Sequence, residues 1–163
     1  MPEGDLKATP ITQLVRNPGR ADYDRDSVNQ IIDATPLCHV SYIIDGRPYV
    51  TPTLQWREGD TIYWHGSSAS RFLRQIVDKE VCMAITHFDG FVLARSSFHH
   101  SINYRSIMLF GQATKIEDDD KNALLDSFVE TLIPGRLETL RQMTDQEAKA
   151  TTVFSMAIDE GSA

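Results

Sequence analysis

Apolar positions along the chain change period several times, and each change marks an element. Between Tyr23 and Pro36, Val28, Ile31 and Ile32 fall on one helical face. Asp24 or Asp26 stands ready to cap that helix, and Pro36 to stop it. From Leu37 the period becomes that of strands: LCHVSYII, then Asp45-Gly46, then RPYVTPTLQW, then REGD, then TIYWHG. Asp-Gly between apolar runs predicts a tight hairpin, because both central residues of a type I′ turn need positive φ. Ala69, Phe72, Leu73, Ile76 and Val77 then return to helical spacing, with Arg71, Arg74, Gln75 and Asp78 on the opposite face.

Two more strands, VCMAITHF and FVLARSSF, are predicted on either side of Asp89-Gly90, followed by a long one in YRSIMLFGQATKIE. Asp118, Asp119 and Asp120 suit a helix start ahead of Leu124, Leu125, Phe128, Val129, Leu132 and Ile133, and Pro134-Gly135 ends that helix. Thr144 and Glu147 form a capping-box pattern, and TTVFSMAI reads as a last strand. Residues 1–21, with three prolines and two glycines, read as an extended N-terminal arm, and 22–163 as a single domain. Short antiparallel strands with helices inserted between them predict a β-dominated α+β fold, a small closed or partly closed barrel.

Composition narrows the function classes. With 163 residues and 41% hydrophobic content the chain suits one domain with a proper core. Its 23 acidic against 16 basic residues argue against a nucleic-acid or anionic membrane partner. The chain holds no apolar run long enough to span a bilayer and no signal-peptide pattern at its start, so the expected location is cytoplasmic. Cys38 and Cys82 lie inside strand-like runs and are expected to be buried thiols. No metal-ligand spacing or nucleophile elbow is present in the sequence.

Three stretches carry candidate chemistry. In HGSSASR, Gly66 permits a close turn, Ser67, Ser68 and Ser70 offer hydroxyls, and Arg71 offers a charged fork, a set that suits a phosphate; equally, serines before a helix serve as plain caps. The stretch ARSSFHHSINYRS crowds Arg95, His99, His100, Asn103, Tyr104, Arg105 and Ser106 into one connection, either a binding cluster or a solvated surface. In RPYVTPTLQW, Pro52 cannot donate to a ladder, which marks an edge, a bulge or the approach of another group.

The order GRPYVTPTLQW, IYWHGSSASR, helix, NYRSIMLFGQA resembles the pyridoxamine 5′-phosphate oxidase-like superfamily of FMN-binding split barrels, in its flavin-nucleotide-binding branch related to nitroimidazole-resistance reductases. The resemblance implies a six- to seven-stranded antiparallel split β-barrel with flanking helices and a homodimer with FMN at the subunit interface. It implies cofactor contacts from Val50, Thr51, Pro52, Thr53, Leu54 and Gln55 along the flavin ring. His65, Gly66, Ser67, Ser70 and Arg71 would lie at the phosphate and ribityl chain, with Arg95, Arg105 and Ser106 as further contacts, some across the dimer. Phe72 stands where the oxidases carry a lysine, and Ser106 where they carry a glutamine. The implied activity is an FMN-dependent oxidoreductase acting on a small molecule, with His99, His100 and Tyr104 as candidate catalytic residues. A flavin- or haem-binding sensor or carrier without turnover is the alternative, haem requiring an axial ligand from among the five histidines.

Overall fold

The computed structural model describes residues 4–163, so the first three residues of the predicted arm lie outside it. Eight antiparallel strands form one curled sheet in the order β6-β7-β3-β2-β1-β4-β5-β8. Strands β1 (Leu37–Ile44), β2 (Arg47–Glu58) and β3 (Thr61–Ser67) follow the predicted hairpins. Asp45 (φ 50°) and Gly46 (φ 73°) both sit in the left-handed region, as the tight turn requires. That turn fixes the β1–β2 register, pairing Leu37 with Leu54 and Tyr42 with Tyr49.

Strand β2 serves two neighbours in succession. Residues 47–54 pair with β1, whereas only 55–58 pair with β3. From Val50 to Leu54, therefore, one edge of β2 has no ladder partner among the described residues, and the sheet is split there. Pro52 lies on this open edge, the first of the three readings its sequence position allowed.

The second Asp-Gly pair behaves differently from the prediction. Strand β4 (Glu80–Val92) runs straight through Asp89-Gly90 and stays paired with β5 (Ser101–Gln112), the register shifting by one residue between Phe88 and Gly90. Asp89 is the extra residue of a β-bulge rather than a turn corner. Only Gly90 (φ 147°) leaves the ordinary region, and a type I′ turn needs both residues to do so. The actual connection is residues 93–100, with a 3-10 turn at Ser97–His99.

Helix α1 (Arg25–Asp33) starts at Asp24, whose side chain accepts from the Ser27 N–H, and buries Val28, Ile31 and Ile32 as predicted. Helix α2 spans only Arg71–Gln75, although Phe72, Leu73 and Ile76 are buried as its pattern required. Helix α3 (Asp118–Leu132) covers the outer face of β2 and β3, where Trp56, Leu125 and Val153 form a second cluster with Phe128. The main core lies inside the curl, around Trp64, Phe154, Met83, Ile85, Ile107 and Leu109. Strands β6 (Thr114–Lys115) and β7 (Thr151–Ala157) close one end, and β8 (Glu160–Ser162), which no sequence signal marked, closes the other. The N-terminal arm is tied to this body: Leu6 enters the main core, and its N–H donates to the Tyr23 carbonyl at 2.8 Å. Cys38 and Cys82 are free thiols, Cys38 fully buried and pushed by that burial up to about 12, Cys82 half-buried.

Helix α4 (Asp145–Ala150) carries the predicted capping box, Thr144 accepting from the Glu147 N–H while the Glu147 carboxylate accepts from the Thr144 N–H. The Arg141 guanidinium, foremost, and the Thr144 donors hold the Glu147 carboxyl down to about 2. A carboxyl depressed on folding stabilises above its ordinary range and loses that contribution as pH falls towards the folded value. Amide NMR signals of α4 are therefore expected to lose dispersion between the ordinary carboxylate range and about pH 2. Glu147→Gln should remove that pH step; an unchanged profile would refute the link.

Candidate functional site

Two groups of the predicted site residues sit apart within one chain. The first surrounds the split. Thr51 and Thr53 point to the inside of the curl, paired with Val40 and Cys38, while Val50, Pro52 and Leu54 point outward and are exposed. The Thr53 hydroxyl donates across the split to the His65 carbonyl at 3.3 Å, and the Thr51 hydroxyl shares a 3.0 Å hydrogen bond with the Tyr42 hydroxyl.

Next to them comes the loop from β3 to α2. Ser70 precedes the helix but makes no side-chain cap bond, so its hydroxyl is free to meet a ligand. Ser67 accepts from the Ala69 N–H at 3.2 Å and keeps its own proton to donate. Arg71 enters none of the ion pairs or side-chain hydrogen bonds among the described residues, and its guanidinium carbon lies 6.0 Å from the Tyr49 ring centre. That ring stacks on Tyr42 at 5.6 Å, which stacks on Phe72 at 4.6 Å. A cation held over an aromatic face keeps its charge while losing freedom, which prepares it for an anion. With five residues α2 adds little dipole, so Arg71 and the hydroxyls are the groups here that an anion would meet.

Phe72 has a structural reason to differ from lysine: only 9% exposed, it belongs to the main core. Gly66 packs closely on Leu73: a Cβ there would meet Leu73 Cδ1 at 3.0 Å, so a larger residue would make that buried side chain shift by a few tenths of an ångström. His65 and Gln55 are committed elsewhere. The His65 ring packs edge-on against Phe128 at 4.6 Å and near Trp56, on the face that α3 covers, and burial lowers its pKa. Gln55, 3% exposed, donates both amide hydrogens to the carbonyls of Ile32 and Thr35, anchoring the end of α1, and its own N–H goes to Pro36. As a cofactor contact Gln55 has no donor left.

The second group lies on β5 and its preceding turn. Arg105 makes a two-pronged ion pair with the bulged Asp89, at 3.1 and 3.0 Å, which neutralises its charge and holds the Asp89 carboxyl below its ordinary range. Tyr104 is exposed beside it, and Ser106 is half-buried opposite Thr86. Arg95, His99 and His100 are exposed on the turn, where His100 Nδ1 lies 3.1 Å from the Ser96 carbonyl oxygen. Strands β1 and β4 lie between β2 and β5, a separation of roughly 14 Å measured along the curled sheet at ordinary strand spacing. A single chain does not bring the two groups together.

The Tyr42–Tyr49–Arg71 stack escaped the sequence reading. The signal was available: the Asp45-Gly46 turn sets Tyr42 opposite Tyr49, and strand alternation places both on the face of Val40. Nothing local, however, tied Arg71 to them, because that contact joins distant parts of the chain.

The curled, split sheet with its helices and its serine-arginine loop define a split-barrel protein. The model for pyridoxamine 5′-phosphate oxidase matches residues 24–163, and the chain belongs to that family. Among solved structures, a flavocytochrome from Azotobacter vinelandii is 43% identical, with a TM-score of 0.89 over 94% of this chain and 72% of that one. A FAD- and haem-binding protein from Mycobacterium smegmatis is 37% identical, with a TM-score of 0.84 over 88% and 71%. A 5-nitroimidazole antibiotic resistance protein from Bacteroides thetaiotaomicron, 21% identical with a TM-score of 0.70 over 87% and 84%, shares the fold. Nothing among curated proteins matches the chain. Among the described residues, no helix is long and apolar enough to cross a membrane.

Proposed function

We propose that the protein binds a flavin, with FMN as the expected form, and works in the cytoplasm as a homodimeric oxidoreductase on a small molecule. The observation that carries this reading is Arg71: an unpaired guanidinium held over Tyr49, beside the uncommitted Ser70 hydroxyl and the open edge of β2, within a pyridoxamine 5′-phosphate oxidase fold. Arg71, Ser67 and Ser70 fit a phosphate, and the unpaired edge from Val50 to Leu54 fits a planar polar ring that needs backbone partners. A bound flavin supplies electron transfer by its own ring chemistry, so the chain's part is to hold and orient it.

FAD and haem are the second reading, supported by relatives at 43% and 37% identity described as a flavocytochrome and a FAD- and haem-binding protein. The same cradle serves the ribityl-side phosphate of FMN or FAD. The experiment is direct: purified protein should show flavin absorption bands, release FMN on denaturation, and be bleached by NADH or NADPH. A released dinucleotide would replace FMN with FAD, a Soret band would add haem, and a protein that takes up no flavin would overturn the proposal.

What the sheet leaves bare supports the proposed dimer. Helix α3 covers one half of the outer face, whereas Leu37 (48% exposed), Ile43 (71%), Val50 (61%), Leu54 and Met108 remain open on the other. A second copy would cover this apolar surface and set one subunit's Tyr104 and Arg105 group near the other's Arg71 loop. Sedimentation is expected to give twice the chain mass. Val50→Asp with Leu54→Asp should yield monomers with reduced flavin content; monomeric wild-type protein would refute the arrangement.

A further inference from the structure

We infer that Asp89 is a positioning residue of the flavin site, extruded from β4 by the bulge so that its carboxylate grips Arg105 and fixes the charge that β5 presents to the flavin. The inference rests on the flavin-binding dimer proposed above, in which one subunit's Tyr104 and Arg105 group lies near the other's Arg71 loop. Register explains the grip. His87 stands opposite Arg105 and Phe88 opposite Tyr104, so an unbroken ladder would put Asp89 opposite Asn103. The bulge sets Gly90 there instead and leaves Asp89 without an opposite residue. Bulges re-aim side chains in this way. Both carboxylate oxygens then meet the guanidinium, Oδ2 accepting from Nε at 3.1 Å and Oδ1 from Nη2 at 3.0 Å.

The pair has little to do for the fold. Strands β4 and β5 are already joined along twelve residue pairs, and both side chains are partly exposed, where an ion pair contributes little to stability. By contrast, the Arg57–Asp33 pair ties β2 to α1, two elements with no ladder between them. What the Asp89–Arg105 pair changes is charge. Asp89 is the single acidic residue between Glu80 and Glu117, a stretch that holds Arg95, Arg105, Lys115 and three histidines. The Arg105 hydrogen bond foremost, with the charges of Arg105 and His87, holds the Asp89 carboxyl below its ordinary range, so a full anion faces a full cation at neutral pH. Reduction adds two electrons and one proton to a bound flavin and leaves it one unit more negative, so a bare guanidinium beside it favours the reduced form more than a paired one does.

The test is the midpoint potential of the flavin bound to the full chain at neutral pH, read against a reference dye during reduction by xanthine and xanthine oxidase. Asp89→Asn, which bares the guanidinium, is expected to raise the preference for reduced over oxidised flavin about tenfold, roughly 30 mV for a two-electron couple. Arg105→Gln, which bares the carboxylate, is expected to lower it by about as much, and the double variant to return within about threefold of wild type. Opposed shifts that cancel are the mark of charge, whereas a loosened hairpin would move all three variants the same way. Asp89→Glu, which keeps the charge on a longer arm, should lie between wild type and Asp89→Asn. Flavin-free variants should melt within about 3 °C of wild type, because the pair is exposed. Flavin-loaded Asp89→Asn and Arg105→Gln that stay within about twofold of wild type, or that shift together, would overturn the role of Asp89 and leave flavin binding standing. Wild-type protein that takes up no flavin would overturn both readings.

Discussion

Arg71→Ala is expected to weaken flavin binding by about ten- to a hundredfold, while Arg74→Ala changes it by no more than about twofold. Both arginines stand on the short helix α2 and both are exposed. What separates them is context. Arg71 is positioned over Tyr49 at the mouth of the split, next to Ser70, whereas Arg74 lies in the last turn with no such support. Titration of flavin-free protein with FMN, followed by quenching of the flavin fluorescence, gives the two affinities. Equal losses would mean that general positive charge, rather than a built cradle, attracts the ligand. Tyr49→Leu provides a finer reading, since it keeps Arg71 but removes the ring beneath it, and is expected to fall between the two.

Trp64→Ala should be the most damaging core substitution, costing about 3–5 kcal/mol. The side chain is fully buried inside the curl and stacks on Phe154 at 5.7 Å. Its strand continues directly into the serine-arginine loop, so the cavity would loosen the cradle as well as the core. Trp64→Phe should cost much less, because the Trp64 Nε1 hydrogen has no partner among the described residues and phenylalanine removes that unsatisfied donor while keeping a ring against Phe154. Denaturant unfolding compares the variants, with Val15→Ala, at an 85%-exposed position, expected within about 0.5 kcal/mol of wild type. A loss for Trp64→Phe as large as that for Trp64→Ala would show that the indole nitrogen is satisfied in solution.

Local signals carried most of the fold. Where the pattern rested on neighbours in sequence, as at Asp24, Asp45-Gly46 and the Thr144–Glu147 box, the structure agrees in detail. The failure at Asp89-Gly90 has the opposite origin. That dipeptide is as good a hairpin signal as Asp45-Gly46, but twelve-residue pairing between β4 and β5 holds the strand open and absorbs Asp89 as a bulge. Strand β8 was invisible because three residues, Glu160 to Ser162, carry no periodicity; its position is set by Gly161, where a Cβ would come within 2.6 Å of the Met108 carbonyl. The serine-arginine loop read, from residue types alone, as either a phosphate site or a plain cap; Ser70 makes no side-chain cap bond, and a phosphate there is the proposal made above. The commitments of Gln55 and His65 were not, since the carbonyls of Ile32 and Thr35 and the ring of Phe128 come from elements distant in sequence.

The open edge of β2 also carries a risk that Pro52 answers. An unpaired stretch of strand flanked by exposed Val50 and Leu54 is a template onto which another chain's strand could add, and such additions propagate into aggregates. Pro52 removes one N–H from the middle of that template and puts a rigid ring in its place. A small planar molecule, needing only a few contacts, can still lie along the edge, whereas a second strand, needing a regular series of donors, meets a gap in the row. The residue that looks misplaced in a strand thus guards the split against the addition of a second strand.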